Sequence, residues 1–311
     1  MRVLLSFGFS FLALAPCDVP VYRYALEHWP AEPYVLVLGS GGGARDPAEA
    51  PILEALGRAV REGANLEIRR EEGFGPGAVL RYPESAGIGR PVWEGRLADL
   101  VAEELVCSPL RRSVARMIEE GAAAVWILLE SGAPGKDEEV ARFLESRLRD
   151  VPAGPCDGAG EAPAVRPVFP VLRLSRKDPA EKMLVRMLLR SEEGLEAAAG
   201  PMVFPVFGRG RKLEALVGKG ITAENVDEYV AFLTGPCSCR VKQQAPGVDL
   251  LMAANWGTGR ADPSIGAVPR ETIPPSGAPG LFAWGWIGLG VAASGAAAAG
   301  ALLLFSSRPA S

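Results

Sequence analysis

Between Gly121 and Leu233 the spacing of apolar residues changes repeatedly, and that alternation constrains the fold more than any other feature. VWILLE (125–130) is an unbroken apolar run between Gly121 and an SGAPG turn signal, as a buried central strand requires. DEEVARFLESRL (137–148) then sets Val140, Phe143, Leu144 and Leu148 at helical spacing. PVFPVLRL (167–174) reads as strand again. Asp178-Pro179-Ala180-Glu181 opens a helix through Met183, Leu184, Met187 and Leu188. The aspartate caps, proline suits the first turn, and the glutamate completes a capping box. After Pro201, MVFPVF (202–207), a Gly208-Arg209-Gly210 turn and KLEALV (212–217) read as a hairpin. Thr222 caps a last helix with Val226, Val230 and Leu233 on its buried side. The order is β-α-β-α-β-β-α, an α/β class.

That order resembles the thioredoxin fold, most specifically in its closing part. There a proline leads into a strand ending in Phe and a Gly turn, then a second strand, a Gly and a terminal helix. Pro201, Phe207, Gly210, Gly218 and the helix from Ala223 to Leu233 stand at the matching places. The resemblance implies that Pro201 flanks a site, with Pro205 competing for the role. A thioredoxin carries Cys-x-x-Cys after its first long strand, where a helix N-terminus lowers the thiol pKa. This chain has Glu130-Ser131-Gly132-Ala133-Pro134 there, so residues 121–235 resemble the fold without its dithiol.

The first half offers a partial echo. YVLVL (34–38) precedes a helix opened by Asp46-Pro47-Ala48-Glu49, and NLEIRR (65–70) and AVLRYP (78–83) read as further strands. Cys17-Asp18-Val19-Pro20 resembles a degenerate redox motif that keeps only the first thiol. Residues 17–120 are either a second, degenerate thioredoxin-like module or an α/β arrangement packed against 121–256. LADLVAEEL (97–105) and a helix begun by Ser108-Pro109 join the halves.

The two ends decide the compartment. Residues 1–16 have one Arg2 and then an apolar run of signal-peptide length, too short to span a bilayer. Leu14-Ala15-Pro16-Cys17 resembles a lipobox with Pro16 where a small residue belongs. Residues 257–280 are a Pro/Gly-rich linker without a period. Residues 281–305 carry no charge and are long enough for a hydrocarbon core of about 30 Å, with Trp284 and Trp286 at one boundary. Residues 306–311 leave a short cytoplasmic tail. The bulk of the chain is therefore expected outside the cytoplasm, on a single-pass anchor in a bacterial cell envelope.

Composition removes several chemistries. A net charge of −4 argues against a nucleic-acid binder, which needs a basic face. His28 is the only histidine, so a multi-histidine metal site is excluded and any Ser-His or Cys-His mechanism must use it. Gly39 to Ala44 fits the G-x-G-x-x-[GA] dinucleotide pattern. Asp46 at the following helix start would repel a phosphate, so no cofactor is assigned. Glu130, Asp137, Glu138 and Glu139 suit the dipole of a helix start better than paired-carboxylate catalysis. Arg209 and Arg211 read as a solvated hairpin tip, and Tyr22, Tyr24 and Trp29 as core.

The five cysteines are Cys17, Cys107, Cys156, Cys237 and Cys239, an odd count that leaves at least one free, lipidated or intermolecular. Cys237-Ser238-Cys239 follows Gly235-Pro236 on a loop. The pair can form a disulfide with Cys17, exchange disulfides, hold a soft metal or stay free. Cys17 itself is disulfide-bonded, lipidated or free. Cys107 and Cys156 read as incidental, and no metal is assigned.

From Cys17 to Trp256 the chain also resembles an uncharacterised family of exported bacterial proteins. Its signature is C-x-V-P-V-[FY]-R-Y-A-L-E-x-W, here CDVPVYRYALEHW, followed by VWILLESG, PMVFPVFGRGR and GPCSC. That resemblance implies no activity. The expected function is a membrane-anchored, thioredoxin-like accessory module that binds an envelope protein without turnover. The alternative is an extracytoplasmic thiol–disulfide oxidoreductase using Cys17, Cys237 and Cys239, with Pro201 beside the site.

Overall fold

The computed structural model describes residues 19–39, 47–72, 77–152, 166–236 and 247–256. All of these lie in one compact unit, Met1–Val268. The expected signal peptide at 1–16, Asp46, residues 40–45, Cys17, Cys156, Cys237, Cys239, and the expected linker and span at 257–305 lie outside the described residues. Among the described residues no helix is long and apolar enough to cross a membrane.

The class is mixed α/β, built on two sheets. After α1 (Val21–His28), the first sheet takes β1 (Tyr34–Gly39), β2 (Leu66–Glu71), β3 (Ala78–Arg81) and β4 (Trp93–Gly95), with α2 (Glu49–Arg61) between β1 and β2. Its order is β2-β1-β3-β4. β1 runs parallel to β2 and antiparallel to β3, and β3 is antiparallel to β4. Tyr34 to Leu38 are all buried, which explains a strand apolar at every position instead of every second one.

α3 (Ala102–Val106) and α4 (Pro109–Glu119) lead to the second sheet. It contains β5 (Val125–Glu130), β6 (Val171–Ser175), β7 (Met202–Phe207), β8 (Arg211–Lys212), β9 (Leu216–Val217) and β10 (Val248–Asp249). Its helices are α5 (Pro134–Arg149), α6 (Lys182–Arg190) and α7 (Ala223–Thr234). The order is β10-β8-β7-β5-β6, with β9 also on β7. β5 is parallel to β6 and antiparallel to β7, and β7 is antiparallel to β8. Strand for strand, β6-β5-β7-β8 repeats the order and directions of β2-β1-β3-β4.

Alternation along β5 divides the second core. Trp126 and Leu128 face Leu144 of α5, Leu233 of α7, and Val21, Ala25 and Trp29 at α1. Val125, Ile127 and Leu129 face Ile118 of α4 and Leu184 and Leu188 of α6. α1 therefore packs into the second sheet's core, although it stands first in the chain. Trp29 meets Phe207 edge-on at 6.1 Å between ring centres. The third cluster covers the first sheet around Tyr34, Leu36, Leu56 and Leu80.

Three local expectations change. Asp178 caps as read, accepting from Ala180 N at 3.0 Å, but Glu181 does not close the box. Its Oε1 accepts from Leu110 N at 2.6 Å, so it caps α4 across the fold. KLEALV is not one strand. Val206 pairs with Lys212 but Val203 with Leu216, a one-residue slip that marks a bulge. The Ala215 N–H freed there donates to the Glu192 carboxylate at 3.0 Å. Finally, the Gly208–Gly210 turn is not a solvated tip. It packs on α1, where a Cβ at Gly208 would stand 2.9 Å from Ala25 Cβ. Arg209 donates to the Leu26 carbonyl at 2.8 Å, and Arg211 is buried against Asp249 at 3.3 Å.

Residues 247–256 form a strap across both sheets. β10 pairs with β8, and Leu250 N donates to the Gly210 carbonyl at 2.9 Å. Tyr34 Oη donates to the Asp249 carbonyl at 2.8 Å, and Met252 N to Asn65 Oδ1 at 2.8 Å. Arg111, fully buried, donates to the Leu251 and Leu105 carbonyls at 2.8 and 2.7 Å. Burial lowers its guanidinium pKa to about 10.

Candidate functional site

The C-terminal ends of the parallel pair β5 and β6 are where an open α/β sheet offers a crevice. The β5–β7 register, with Leu129 opposite Met202, brings the next pair, Glu130 and Pro201, to the same edge. Pro201 is buried, and its carbonyl accepts from Gly218 N at 2.9 Å. Arg176, just beyond β6, fastens this edge by donating to the Glu130 carbonyl at 3.0 Å and the Gly200 carbonyl at 2.8 Å. Partial burial lowers the Arg176 pKa.

Ser131 to Pro134, the segment matching a thioredoxin dithiol, is closed from within. Asp137, 2% exposed, turns back from the first turns of α5. Its Oδ1 accepts from Ser131 N at 2.7 Å and Ser131 Oγ at 2.8 Å, and its Oδ2 from Gly132 N at 3.0 Å. The N–H groups that would face a ligand at this helix start are thus met by a side chain of the same helix. Gly132 adopts φ +86°, which lets the loop turn tightly enough for that contact. Glu130 and Glu138 both accept from Arg173 at 2.7 Å, so these carboxylates form a surface ion-pair network.

The Ser131 hydroxyl donates its hydrogen bond to Asp137. His28 is elsewhere, on α1, with its ring 4.4 Å from that of Tyr24. Among the described residues no group of three or more His, Cys, Asp or Glu side chains is placed to share a metal ion.

Cys17, Cys237 and Cys239 lie outside the described residues, but their flanks do not. Pro20 and Pro236 form an antiparallel bridge, and Val21 N donates to the Gly235 carbonyl at 3.0 Å. The last described residues before the CSC loop thus meet the chain three residues after Cys17. Cys107 is a free, half-buried thiol whose Sγ accepts from Arg112 Nη1 at 3.5 Å.

Buried Arg111, Asp249 and Lys212, and the partner of Glu181, escaped the sequence reading. Lys212 has no exposed surface, and its ammonium is held by the Glu192 carboxylate and lies 5.4 Å from the Phe204 ring centre. Burial lowers its pKa, and Glu192 opposes that shift. Lys212 lies within β8, and nothing local to it points to Glu192, just as nothing local to Glu181 points to α4.

No protein-family model matches the chain, and no curated protein sequence matches it.

Proposed function

We propose that the chain is a membrane-anchored, extracytoplasmic thioredoxin-like protein that serves as a non-catalytic, partner-binding accessory module. The observation that carries this is the closed loop after β5. Where the dithiol of an active thioredoxin would open, Asp137 takes up Ser131 and Gly132, while Pro201 keeps its place opposite Glu130. The β6-β5-β7-β8 order with α5, α6 and α7 agrees with the fold, and the first sheet's identical order supports a second, degenerate module. The signal peptide at 1–16 and the span at 281–305 supply the compartment and the anchor.

The alternative, a thiol–disulfide oxidoreductase, draws its support from the Pro20–Pro236 bridge. That bridge lies three residues after Cys17 and one before Cys237. The same juxtaposition suits a structural disulfide at least as well. An insulin-reduction assay on the full-length protein in detergent separates the two. The accessory module shows no turnover above a Cys237→Ser/Cys239→Ser control; thiol-dependent turnover establishes the enzyme.

A further inference from the structure

The outer face of α6 forms one wall of a groove of about 300 Å³, and the β6–α6 connection forms the other. Lys182, Val185, Arg186 and Leu189 line the helix side at i, i+3, i+4 and i+7, while Arg176 to Pro179 line the opposite side. Four cations, Arg176, Lys177, Lys182 and Arg186, thus meet around an apolar floor of Pro179, Val185 and Leu189.

Two carboxylates also line the groove, and both are committed. Asp178 caps the turn at Ala180 N, and Glu196 accepts from Arg190 at 3.1 Å and faces Arg90 at 3.8 Å. Among the described residues none of the four cations has an ion-pair partner. Four cations against two carboxylates leave the groove net positive in a chain of net charge −4.

We infer that this groove docks a short, extended acidic segment of a partner protein, one whose carboxylates alternate with aliphatic side chains. From Lys182 to Leu189 the helix wall runs about 10 Å, the length of three extended residues at roughly 3.3 Å each. Alternation in an extended peptide sends carboxylates to the cationic rim and apolar groups to the floor. A lone phosphate would satisfy the rim and leave the floor wet. The inference deepens the partner-binding half of the proposed function, since Arg176 belongs both to this groove and to the Pro201 edge.

The test is fluorescence anisotropy of a labelled hexapeptide of alternating Glu and Leu, titrated with the full-length protein in detergent. Binding should weaken at least tenfold in Lys182→Glu/Arg186→Glu, and should fall with added salt. Arg149→Glu, on α5 across the second sheet, should leave it unchanged, and all variants should keep the wild-type melting temperature. Equal binding of a Lys/Leu hexapeptide, or less than a twofold effect of the double reversal, overturns the inference. So does complete competition by inorganic phosphate at the peptide's own concentration, which would make this a simple anion site. Tighter, equally reversal-sensitive binding to vesicles containing phosphatidylglycerol would make it a headgroup site instead. Loss of peptide binding leaves the absence of dithiol turnover standing, and insulin reduction by a protein that still binds the peptide removes only the non-catalytic reading.

Discussion

At the scale of single residues, the second sheet depends on carboxylates that serve the backbone. Asp137 satisfies two N–H groups and a hydroxyl at the β5–α5 loop. Asp137→Ala leaves those donors without their charged acceptor, at a cost of about 2–4 kcal/mol, and should lower the melting temperature by roughly 5–12 °C. Circular dichroism melts check this; a change under 2 °C would show that water replaces the carboxylate. Lys212 and Glu192 predict an asymmetry. Glu192→Ala strands an ammonium that has no exposed surface, and should cost about 3 kcal/mol. Lys212→Met leaves Glu192, 29% exposed and still bonded to Ala215 N, and should cost about 1 kcal/mol or less. Urea melts of the two variants give the comparison, and equal losses would refute it.

Elements differ in how far they were legible. β5, α5, α7 and the Thr222 cap follow from local patterning, an unbroken apolar run for a strand buried on both faces and a one-sided apolar stripe for each helix. The location of α1 does not. Its apolar face is clear in VYRYALEHW, but only the long-range meeting with Phe207 and Phe232 assigns it to the second sheet. The bulge at 214–215 was equally hidden, since its N–H is satisfied by Glu192, more than twenty residues earlier. The loop after β5 was legible as one without cysteine, not as one closed by Asp137. The α1–α7 junction also carries a prediction. A disulfide from Cys17 to the CSC loop would close about 220 residues and, in the chain-entropy model, stabilise by roughly 5 kcal/mol less strain. Cys17→Ser should then lower the melting temperature by about 10 °C under oxidising conditions and have no effect once the wild type is reduced. Mass-spectrometric thiol mapping should find Cys107 alkylated in the native protein. Alkylation of Cys17, Cys237 and Cys239 as well would remove the disulfide.

For the molecule as a whole, three buried phenols make the fold respond to alkali. Tyr34 donates to the strap, Tyr82 Oη donates to the Met187 carbonyl at 2.6 Å, and Tyr229 packs near Trp126. Burial raises all three phenol pKa values above the usual 10.0. The folded state therefore holds these protons where the unfolded chain releases them. The stability they contribute is complete below pH 10 and is lost as pH rises through the folded values. Absorbance near 295 nm should show three of the five tyrosines ionising only in step with the loss of the far-ultraviolet signal. Their ionisation near pH 10 in a folded protein would contradict the burial.

The strap has a further consequence, for the order in which the protein can be made. Met252 N reaches Asn65 across 187 residues, and Glu32 N reaches Asp249 across 217. Val248 and Leu251 belong to the first sheet's core, so that core is incomplete until the ribosome has passed the second sheet entirely. Synthesis thus leaves β1 to β4 with an open flank while β5 to α7 are being made, and such long closures are slow. A chain ended at Pro246 should stop at that stage, binding a hydrophobic dye and yielding to limited proteolysis within 19–106 before 121–236. A nascent first sheet in this condition is the form of the protein that needs a chaperone.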